Sequence, residues 1–271
     1  MVDMVCSNFD NVIVIYNGAN QFELGFVDEY PQIKSVVWCP GTGNVGFNAL
    51  GKVFSGEVNP SGKTPDTFIY DMTTAPWWNN AEKTEYTNLA DMAVEGMNAG
   101  TAQVYAPAFT NYVEGIYVGY KYYETAAQEG SIDYDKTVQY PFGYGLSYTE
   151  FEYGNFRVNR TNFTADDDLI FEVDVKNTGE RVGKETVMLY SSDLVASVTP
   201  DVIRLRHFDK IELQPGEMKK VVFKLKGSDL AFVGYDKKWR LEKGRFRMKC
   251  GSEVLYINCE KDKIWNTPNI N

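Results

Sequence analysis

The sequence predicts an incomplete α/β domain followed by an all-β sandwich. In the first part of the chain, short and almost purely apolar runs alternate with glycine-rich turns, which is typical of strands buried in a parallel sheet. From about Phe151 onward, apolar residues recur at every second position between turn residues, which is typical of strands with one face on a core. This change of pattern places the domain boundary near Tyr148 to Phe151.

The first part begins with two predicted strands and one predicted helix. The strands are NVIVIYN (11–17) and QIKSVVWC (32–39), and the segment between them has room for one brief helix. The next segment, PGTGNVGFNALGKVFSG (40–56), brings apolar residues to one face at helical spacing, and Gly56 can end that helix. The order is therefore strand, glycine turn and helix.

The second part shows about seven short strands at regular intervals. They lie within DLIFEVDVKNTGERVGKETVMLYSSD, RLRHFDKIELQPGEMKKVVFKLKGSDLAFV and GRFRMKCGSEVLYINC. The turns at 177–179 and 215–216 contain glycine, which tolerates a positive φ, and the second also contains proline, which presets the preceding corner. This spacing predicts a β-sandwich over about residues 151–271.

The first part, about residues 1–150, contains too few elements for a closed, doubly wound fold. Only two convincing parallel strands and one clear helix precede Tyr140. An apolar strand would then have an unpaired edge and an uncovered face. We therefore expect an incomplete domain, completed by more of a longer chain or by a partner chain.

Composition and charge exclude several function classes. The 271 residues carry 37 acidic and 27 basic side chains, a net charge of −10, whereas nucleic-acid affinity comes largely from Lys and Arg displacing counterions. No apolar run approaches the roughly 20 residues that span a bilayer, and the first residues show no secretory signal. We expect no nucleic-acid partner and no membrane insertion, and the compartment stays open.

The cysteines and the single histidine predict neither a metal site nor a nucleophilic triad. The four cysteines form no CxxC pair, and one His207 on a predicted strand cannot complete a zinc set or serve a triad. We expect free thiols, because Cys250 would face Val254 in a hairpin that leaves Cys259 several residues away. No metal and no organic cofactor is predicted. The cysteines are Cys6, Cys39, Cys250 and Cys259.

Candidate carboxylates are numerous, but the sequence cannot pair them. A glycosidase needs two carboxylates about 5 to 9 Å apart across a sugar. Glu114 lies among aromatic residues in NYVEGIYVGYKYYE, and we expect it to make a structural hydrogen bond. Asp166–Asp168 are expected to form a solvated turn. The PGTGNVG turn (40–46) matches neither common phosphate-binding pattern, so close helix packing is its expected role.

Two tryptophans are the candidate sugar contacts. Trp77 and Trp78, within APWWNN, open a long irregular stretch that reaches about Phe109. Flat rings stack on the apolar faces of sugars, so this loop could form a carbohydrate-facing lip. The alternative is a loop whose tryptophans anchor it on the core.

Five motifs occur in order along nearly the whole chain. They are NPSGKTPDTF (59–68), NYVEGIYVGYKYYE (111–124), YPFGYGLSYTEF (140–151), VKNTGERVGKETVMLYSSD (175–193) and RLRHFDKIELQPGE (204–217). Together they resemble successive signatures of glycoside hydrolase family 3, the β-glucosidase and β-xylosidase group. The last two resemble the fibronectin type III-like domain of its three-domain members.

The resemblance implies retaining hydrolysis of terminal β-D-glucosyl or xylosyl residues. In that family an aspartate in a (β/α)8 barrel attacks the anomeric carbon, and a glutamate of the α/β sandwich domain protonates the leaving oxygen. The barrel is not among these residues, and the resemblance places the glutamate ahead of NVIVIYN. No catalytic residue is therefore carried over to this chain. Glu23, which follows that strand, is not assigned a catalytic role.

The expected function is that of the C-terminal portion of such an enzyme, inactive by itself. Its partners would be a β-linked oligosaccharide or glycoside and a barrel in the same chain or a partner chain. A non-catalytic carbohydrate-binding or assembly module is the alternative function.

The segment YPFGYGLSY (140–148) is expected to join the two domains. In the family that the sequence resembles, it closes the α/β domain and leads into the fibronectin type III-like domain. Its rings would be buried between them, with Gly143 and Gly145 allowing close backbone approach. The expected domains are a partial α/β sandwich, residues 1–150, and a fibronectin type III-like (immunoglobulin-like) sandwich, residues 151–271.

Overall fold

The computed structural model describes residues 1–80, 84–98, 101–105 and 108–266. A 3-10 helix at Gly25–Glu29 is the brief helix predicted between the first two strands. The other elements at the start of the chain are helix α1 (Val2–Cys6), strand β1 (Val12–Tyr16), strand β2 (Ile33–Trp38) and helix α2 (Phe47–Phe54).

Strands β1 and β2 form the predicted parallel pair, which ends with Tyr16 opposite Trp38. The prediction that both faces are buried is wrong, because Ile13 and Ile15 are 49% and 45% exposed. No third strand joins this sheet within the part of the chain that the structure describes. Parallel sheets normally have both faces covered, so this open face fits an incomplete domain.

Helix α2 follows β2 after a glycine turn, as predicted. The turn uses Gly41 and Gly43 at φ values of +53° and +58°, which glycine adopts without steric cost. No residue of α2 is buried by the described residues. Its apolar Phe47 and Phe54 are therefore available to a further layer, as are the exposed isoleucines of β1.

The segment after Trp77 contains a hairpin instead of the irregular chain that was predicted. The elements, in chain order, are β3 (Phe68–Ile69), β4 (Thr84–Glu85), α3 (Leu89–Met92), β5 (Val94–Asn98), β6 (Thr101–Tyr105), β7 (Ala108–Phe109), α4 (Tyr120–Gln128), α5 (Tyr134–Thr137) and β8 (Val138–Tyr140). Strands β5 and β6 pair antiparallel, and β4 pairs with β7. Residues 81–83, 99–100 and 106–107 of this stretch lie outside the described residues.

A small core lies where β3 pairs with β8. Its buried members are Ile69, Ala75, Tyr123 and Val138. Tyr123 comes from α4, a helix that the sequence did not predict because three tyrosines in its first four residues obscure the usual helical periodicity. This core includes Ala75, the first residue of the segment APWWNN (75–80), which we call the tryptophan loop.

From Phe151 the chain forms the predicted sandwich. Its strands are β9 (Phe151–Val158), β10 (Asn162–Phe163), β11 (Asp168–Asn177), β12 (Gly183–Asp193), β13 (Arg204–Leu213), β14 (Met218–Lys226), β15 (Phe232–Val233), β16 (Lys238–Leu241), β17 (Gly244–Cys250), β18 (Glu253–Cys259) and β19 (Lys263–Asn266). One sheet has the order β14-β11-β9, and the facing sheet has the order β10-β18-β17-β12-β13. A small sheet, β15-β16-β19, lies beside them.

The sandwich core follows the alternating pattern of the sequence. On β11, Leu169, Phe171, Val173 and Val175 are all fully buried, and the residues between them are not. They pack with inward side chains of the facing sheet in one continuous cluster. Each such side chain contributes about 1.5 to 3 kcal/mol when it leaves water, so alternation alone explains why this half folds as predicted.

The β17–β18 hairpin differs from prediction by one residue. Gly251, at φ +57°, permits a tight turn, so Cys250 lies opposite Glu253 and not Val254. Cys259 lies at the other end, opposite Gly244, and all four cysteines are free, as expected. Burial raises the pKa of the Cys250 thiol to about 12, which makes it an unreactive core residue.

His207 and the acidic triplet have the ordinary roles that the sequence predicts. His207 is exposed on β13, with its Nδ1 3.1 Å from the carbonyl oxygen of Phe208. Asp166 forms an ion pair with Lys263 (2.5 Å) at the turn before β11. Among the described residues, no helix has the length and apolar character needed to cross a bilayer.

The segment 140–149 holds the first part together mainly through its backbone. Gly143 N–H donates to the carbonyl of Thr64 (2.8 Å), and Thr64 N–H donates to the carbonyl of Tyr144 (2.7 Å). Tyr144 and Tyr148 are 38% and 46% exposed, so the prediction that the rings are buried is only partly right. Backbone hydrogen bonds with the 59–64 segment therefore hold this segment in place where its rings are partly exposed.

The same segment also contacts the sandwich. Phe142 stacks on Tyr120 with ring centroids 4.5 Å apart, and Tyr120 meets the ring of Tyr190 on β12 edge-on. A buried hydroxyl, Thr149 Oγ1, donates to Asn177 Oδ1 at the end of β11 (2.6 Å). The chain at 140–149 is therefore bonded to both parts, through Thr149 directly and through Tyr120 for the ring of Phe142, and the domain boundary near residue 150 stays a prediction.

Candidate functional site

The two candidate tryptophans have different surroundings. Trp77 is half-buried and packs against the small core around Tyr123, whereas Trp78 is 42% exposed. Their ring centroids lie 6.4 Å apart, and the ring planes are tilted by 50°. Trp77 therefore has the contacts of an anchor, and Trp78 presents part of its ring to solvent.

Glu23 lies beside the tryptophan loop. It follows β1, and its Oε1 accepts a hydrogen bond from Met72 N–H (2.6 Å). Asp71 caps the short helix that begins at Met72 by accepting from Thr73 N–H (2.8 Å). This bond connects the segment that follows β1 with the residues just before the tryptophans.

Other carboxylates near this region are used within the chain. Asp28 Oδ2 accepts from the Tyr70 hydroxyl (3.2 Å), and Glu124 Oε1 accepts from the Tyr134 hydroxyl (2.7 Å). Glu114 is half-buried, but the predicted structural hydrogen bond is not found for its side chain among the described residues. The described part of the chain also has no group of three His, Cys, Asp or Glu able to hold a metal ion.

Sequence reasoning missed a polar group formed by half-buried Asp66 and by buried Thr67 and Tyr123. The hydroxyls of Thr67 and Tyr123 are buried and have no hydrogen-bond partner among the described residues. Burial raises the pKa of the Asp66 carboxyl, and burial together with the charges of Asp66 and Glu114 raises the pKa of Tyr123. The only sequence signal was an aspartate directly before a buried strand, in TPDTF.

An open cavity of about 550 Å³ lies at the joint between the two parts. The hydroxyl of Tyr120 accepts a hydrogen bond from Leu205 N–H (2.8 Å) at its floor, and Arg204 there is held by Asp201 (3.0 Å). Its walls are Gly115, Ile116, Val118, Tyr120, Lys121, Arg204 and Leu205. Such a volume suits a small ligand, but the walls are mostly apolar and carry no carboxylate.

Carboxylates beside the loop already accept hydrogen bonds within the chain, and Trp78 is an exposed flat ring. Trp78 is not among the residues that line the cavity at the joint. Both places lie on the first part of the chain or at its border with the sandwich.

Two family profiles match the sequence. The glycosyl hydrolase family 3 C-terminal domain matches residues 1–120, and the fibronectin type III-like domain matches residues 185–254.

The chain is also similar to curated β-glucosidases. It is 32% identical to thermostable beta-glucosidase B of Acetivibrio thermocellus over 254 residues, which cover 93% of this chain and 29% of that protein. It is 34% identical to beta-glucosidase BoGH3A of Bacteroides ovatus, over 88% of this chain and 28% of that protein. The chain thus spans under a third of the length of these relatives.

Solved structures show the same relation. The crystal structure of a beta-glucosidase from Kluyveromyces marxianus in complex with glucose has a TM-score of 0.76 and 29% identity, and the match covers 97% of this chain and 28% of that one. A beta-glucosidase from Paenibacillus barengoltzii has a TM-score of 0.78 and 26% identity, with the same two coverages. Both parts of the chain are therefore similar in fold to one region of these enzymes.

Proposed function

The chain belongs to glycoside hydrolase family 3, and we propose that it provides the C-terminal scaffold of a β-glucosidase-type enzyme. The whole enzyme would release terminal β-D-glucosyl or xylosyl residues with retention, through a barrel aspartate and a glutamate that both lie outside this chain. We assign residues 1–150 to the partial α/β sandwich domain and residues 151–271 to the fibronectin type III-like domain. The observation that carries the proposal is the ordered match of both parts to β-glucosidases.

The open faces of the first part support a scaffold role. Ile13 and Ile15 on β1 and Phe47 on α2 are about half exposed, although they belong to elements of a kind that is normally covered. Exposed apolar area of this kind is stabilised by a further packed layer, because each Å² removed from water contributes about 25 cal/mol. A catalytic barrel or the remaining strands of the α/β domain would supply that layer.

A chimaera tests the proposal. The purified 271-residue chain should release no nitrophenol from an aryl β-glucoside. The same residues, fused in place of the corresponding region of the Acetivibrio thermocellus relative, should give an active enzyme. The control fusion keeps the same upstream part of the relative but replaces that region with residues 151–271 alone, and it should be inactive. Hydrolysis by the chain alone, or equal activity of both fusions, would contradict the scaffold role.

The second candidate is a carbohydrate-binding module, and the exposed ring of Trp78 favours it. If Trp78 stacks on a sugar, cello-oligosaccharides should quench tryptophan fluorescence in a saturable way. Trp78→Ala should abolish the quenching, whereas Tyr235→Ala, at an aromatic residue that is 92% exposed on the sandwich, should leave it unchanged. Absence of quenching in the unmodified chain would reject this candidate and leave the scaffold role.

A further inference from the structure

Strand β17 carries three basic side chains on the outer face of the five-stranded sheet. Phe246, Met248 and Cys250 point into the core, so the intervening residues point outward. The outward residues are Arg245, Arg247 and Lys249. Alternate residues of a strand lie about 7 Å apart, so the three cations form one straight row along the sheet.

No acidic residue faces this row from the neighbouring strands. On β18 the residues opposite the three cations are Asn258, Tyr256 and Val254. On β12 the residues opposite Arg247 and Lys249 are Ser192 and Tyr190. The ion pairs found among the described residues include none of the three cations. In a chain of net charge −10, such an uncompensated row is unusual.

Two of the basic groups are held in place by neutral neighbours. The guanidinium of Arg245 lies 3.9 Å from the centre of the Tyr256 ring, a cation–π contact that leaves its edge free. Arg247 donates to the Ser192 hydroxyl (3.1 Å). Both side chains have therefore already lost part of their rotamer freedom, which lowers the entropy cost of binding an anion.

The polar border of the row suits hydroxyl groups. Asn258 on β18 and Asn162 on β10 are exposed beside Arg245, and their side-chain amides are joined by a hydrogen bond (3.4 Å). Amide groups both donate and accept, so they match sugar hydroxyls, while guanidinium groups bind carboxylates in a bidentate way. Lys243 is not included in the row, because Asp262 lies next to it and bonds its backbone N–H (2.5 Å).

We propose that Arg245, Arg247, Lys249 and Tyr256 form a binding site for an acidic polysaccharide that carries a carboxylate on its sugar rings. At the Lys249 end the site borders the joint cavity, because Tyr190, opposite Lys249, meets the ring of Tyr120 on the cavity wall. A single-stranded nucleic acid fits less well, because such strands bind by stacking their bases on aromatic rings, and Arg245 already occupies a face of the Tyr256 ring. The row of three cations matches the carboxylates of such a polysaccharide, and the neutral amide border matches its hydroxyls.

Polygalacturonate is the probe for this site. In low salt the 271-residue chain should bind immobilised polygalacturonate, and the triple variant Arg245→Ala, Arg247→Ala, Lys249→Ala should bind at least roughly tenfold more weakly, which is about 1.4 kcal/mol. The matched control is Lys176→Ala, Lys224→Ala, Lys226→Ala, which removes the same charge from exposed positions on the other sheet. This control should bind as the unmodified chain does.

Two further measurements separate the alternatives. Arg245→Lys keeps the charge but changes the contact with Tyr256, so it should weaken binding less than the triple variant, and circular dichroism should show all variants folded. Neutral dextran should not bind. Equal losses in both triple variants, or binding of single-stranded DNA at least as tight as that of polygalacturonate, would overturn the proposal, as would no binding by the unmodified chain.

Discussion

Gly145 allows the joint to approach the 59–64 segment more closely than any other residue could. A Cβ built at this position would lie 2.0 Å from the carbonyl oxygen of Gly62, which is backbone and cannot rotate away. The carbonyl of Gly145 itself accepts a hydrogen bond from Lys63 Nζ (2.9 Å). A side chain at this position would therefore push apart the two segments whose backbone hydrogen bonds close the first part.

Gly145→Ala should destabilise the chain by about 2 kcal/mol, because the two backbones must separate to relieve the overlap. The matched control is Gly51→Ala in helix α2, where a Cβ would meet nothing within 4 Å. Alanine is favoured over glycine in a helix, so this control should be neutral or stabilising by up to about 1 kcal/mol. Urea midpoints measure both changes, and equal midpoints for the two variants would contradict the argument.

Asp193 predicts a pH dependence of stability. Burial is the main cause that raises the pKa of its carboxyl to about 6, and nearby Glu242 adds to it, while a hydrogen bond from Val195 N–H and the charge of Arg206 oppose it. Because the folded state binds this proton more tightly than the unfolded state does, stability falls as the pH rises from about 4 to about 6.

Asp193→Asn should remove that loss, so the variant should gain about 1 kcal/mol relative to the unmodified chain near pH 7, after allowance for solvent that partly reaches the carboxyl. Near pH 4 the two proteins should be equally stable. Thermal unfolding at four pH values measures the difference. A stability difference that does not change with pH would reject the shifted pKa as its cause.

At the scale of single residues, the sequence predicts what depends on local chain geometry. The need for glycine at Gly143 and Gly145 could be predicted because the surrounding motif implied a tight joint. The group of Asp66 and Tyr123 could not, since those residues are 57 positions apart and come near each other only where α4 packs on the core at β3 and β8. The same holds for Glu23, whose partner Met72 lies on a distant loop.

Among the elements, the corner between β11 and β12 depends on one buried asparagine. The Asn177 side chain donates to the carbonyls of Arg181 (2.7 Å) and Leu213 (3.0 Å) and accepts from Thr149 Oγ1 and Gly179 N–H. It is fully buried, so water cannot replace these partners. One side chain thus connects the turn, β13 and the joint.

Asn177→Ala should cost about 3 kcal/mol, because it leaves the Leu213 carbonyl and the Thr149 hydroxyl buried without their partner and also removes the bonds to the Arg181 carbonyl and the Gly179 N–H. The control Asn258→Ala removes an amide that is exposed on β18, and it should change stability by less than about 0.5 kcal/mol. Chemical denaturation followed by far-UV circular dichroism measures both. A cost for Asn177→Ala as small as that of the control would contradict the role of the corner.

The predictions at element scale succeeded where a repeating pattern fixes the structure. Alternation predicted the long sandwich strands, continuous apolar runs predicted β1 and β2, and helical spacing after a glycine turn predicted α2. Helix α4 and the β5–β6 hairpin were missed because tyrosines in one and polar residues in the other mask their periodicity. The register of the β17–β18 hairpin was off by one, since turn length depends on the backbone conformation of Gly251.

In the whole molecule, the two parts differ in the size of their buried cores. The sandwich has a continuous core of its own, whereas the first part has a small core and open faces on β1 and α2. The first part therefore depends on its contacts with the sandwich. Three of these contacts are the Lys63–Glu185 ion pair (3.3 Å), the hydrogen bond from Lys210 Nζ to the carbonyl of Ser61 (2.8 Å) and the bonds of Asn59.

Asn59 links three segments at this border: its own segment of the first part, the segment 140–149 and the sandwich. Its Oδ1 accepts from Ser147 Oγ (3.0 Å) and from Tyr148 N–H (2.8 Å), and its Nδ2 donates to the carbonyl of Val182 in the sandwich (2.9 Å). Asn59→Ala should therefore uncouple the first part from the sandwich. Calorimetry should show the melting temperature of the first part lowered and that of the sandwich unchanged.

The control for this experiment is Asn48→Ala, at an exposed residue of α2, which should leave both transitions in place. Limited proteolysis gives a second readout. In the Asn59→Ala variant, cleavage should become faster within residues 1–150, because local opening there no longer breaks bonds to the sandwich. If the Asn59→Ala variant lost stability in both parts together, the molecule would unfold as one unit. The sandwich would then not be a separately stable domain that stabilises the first part.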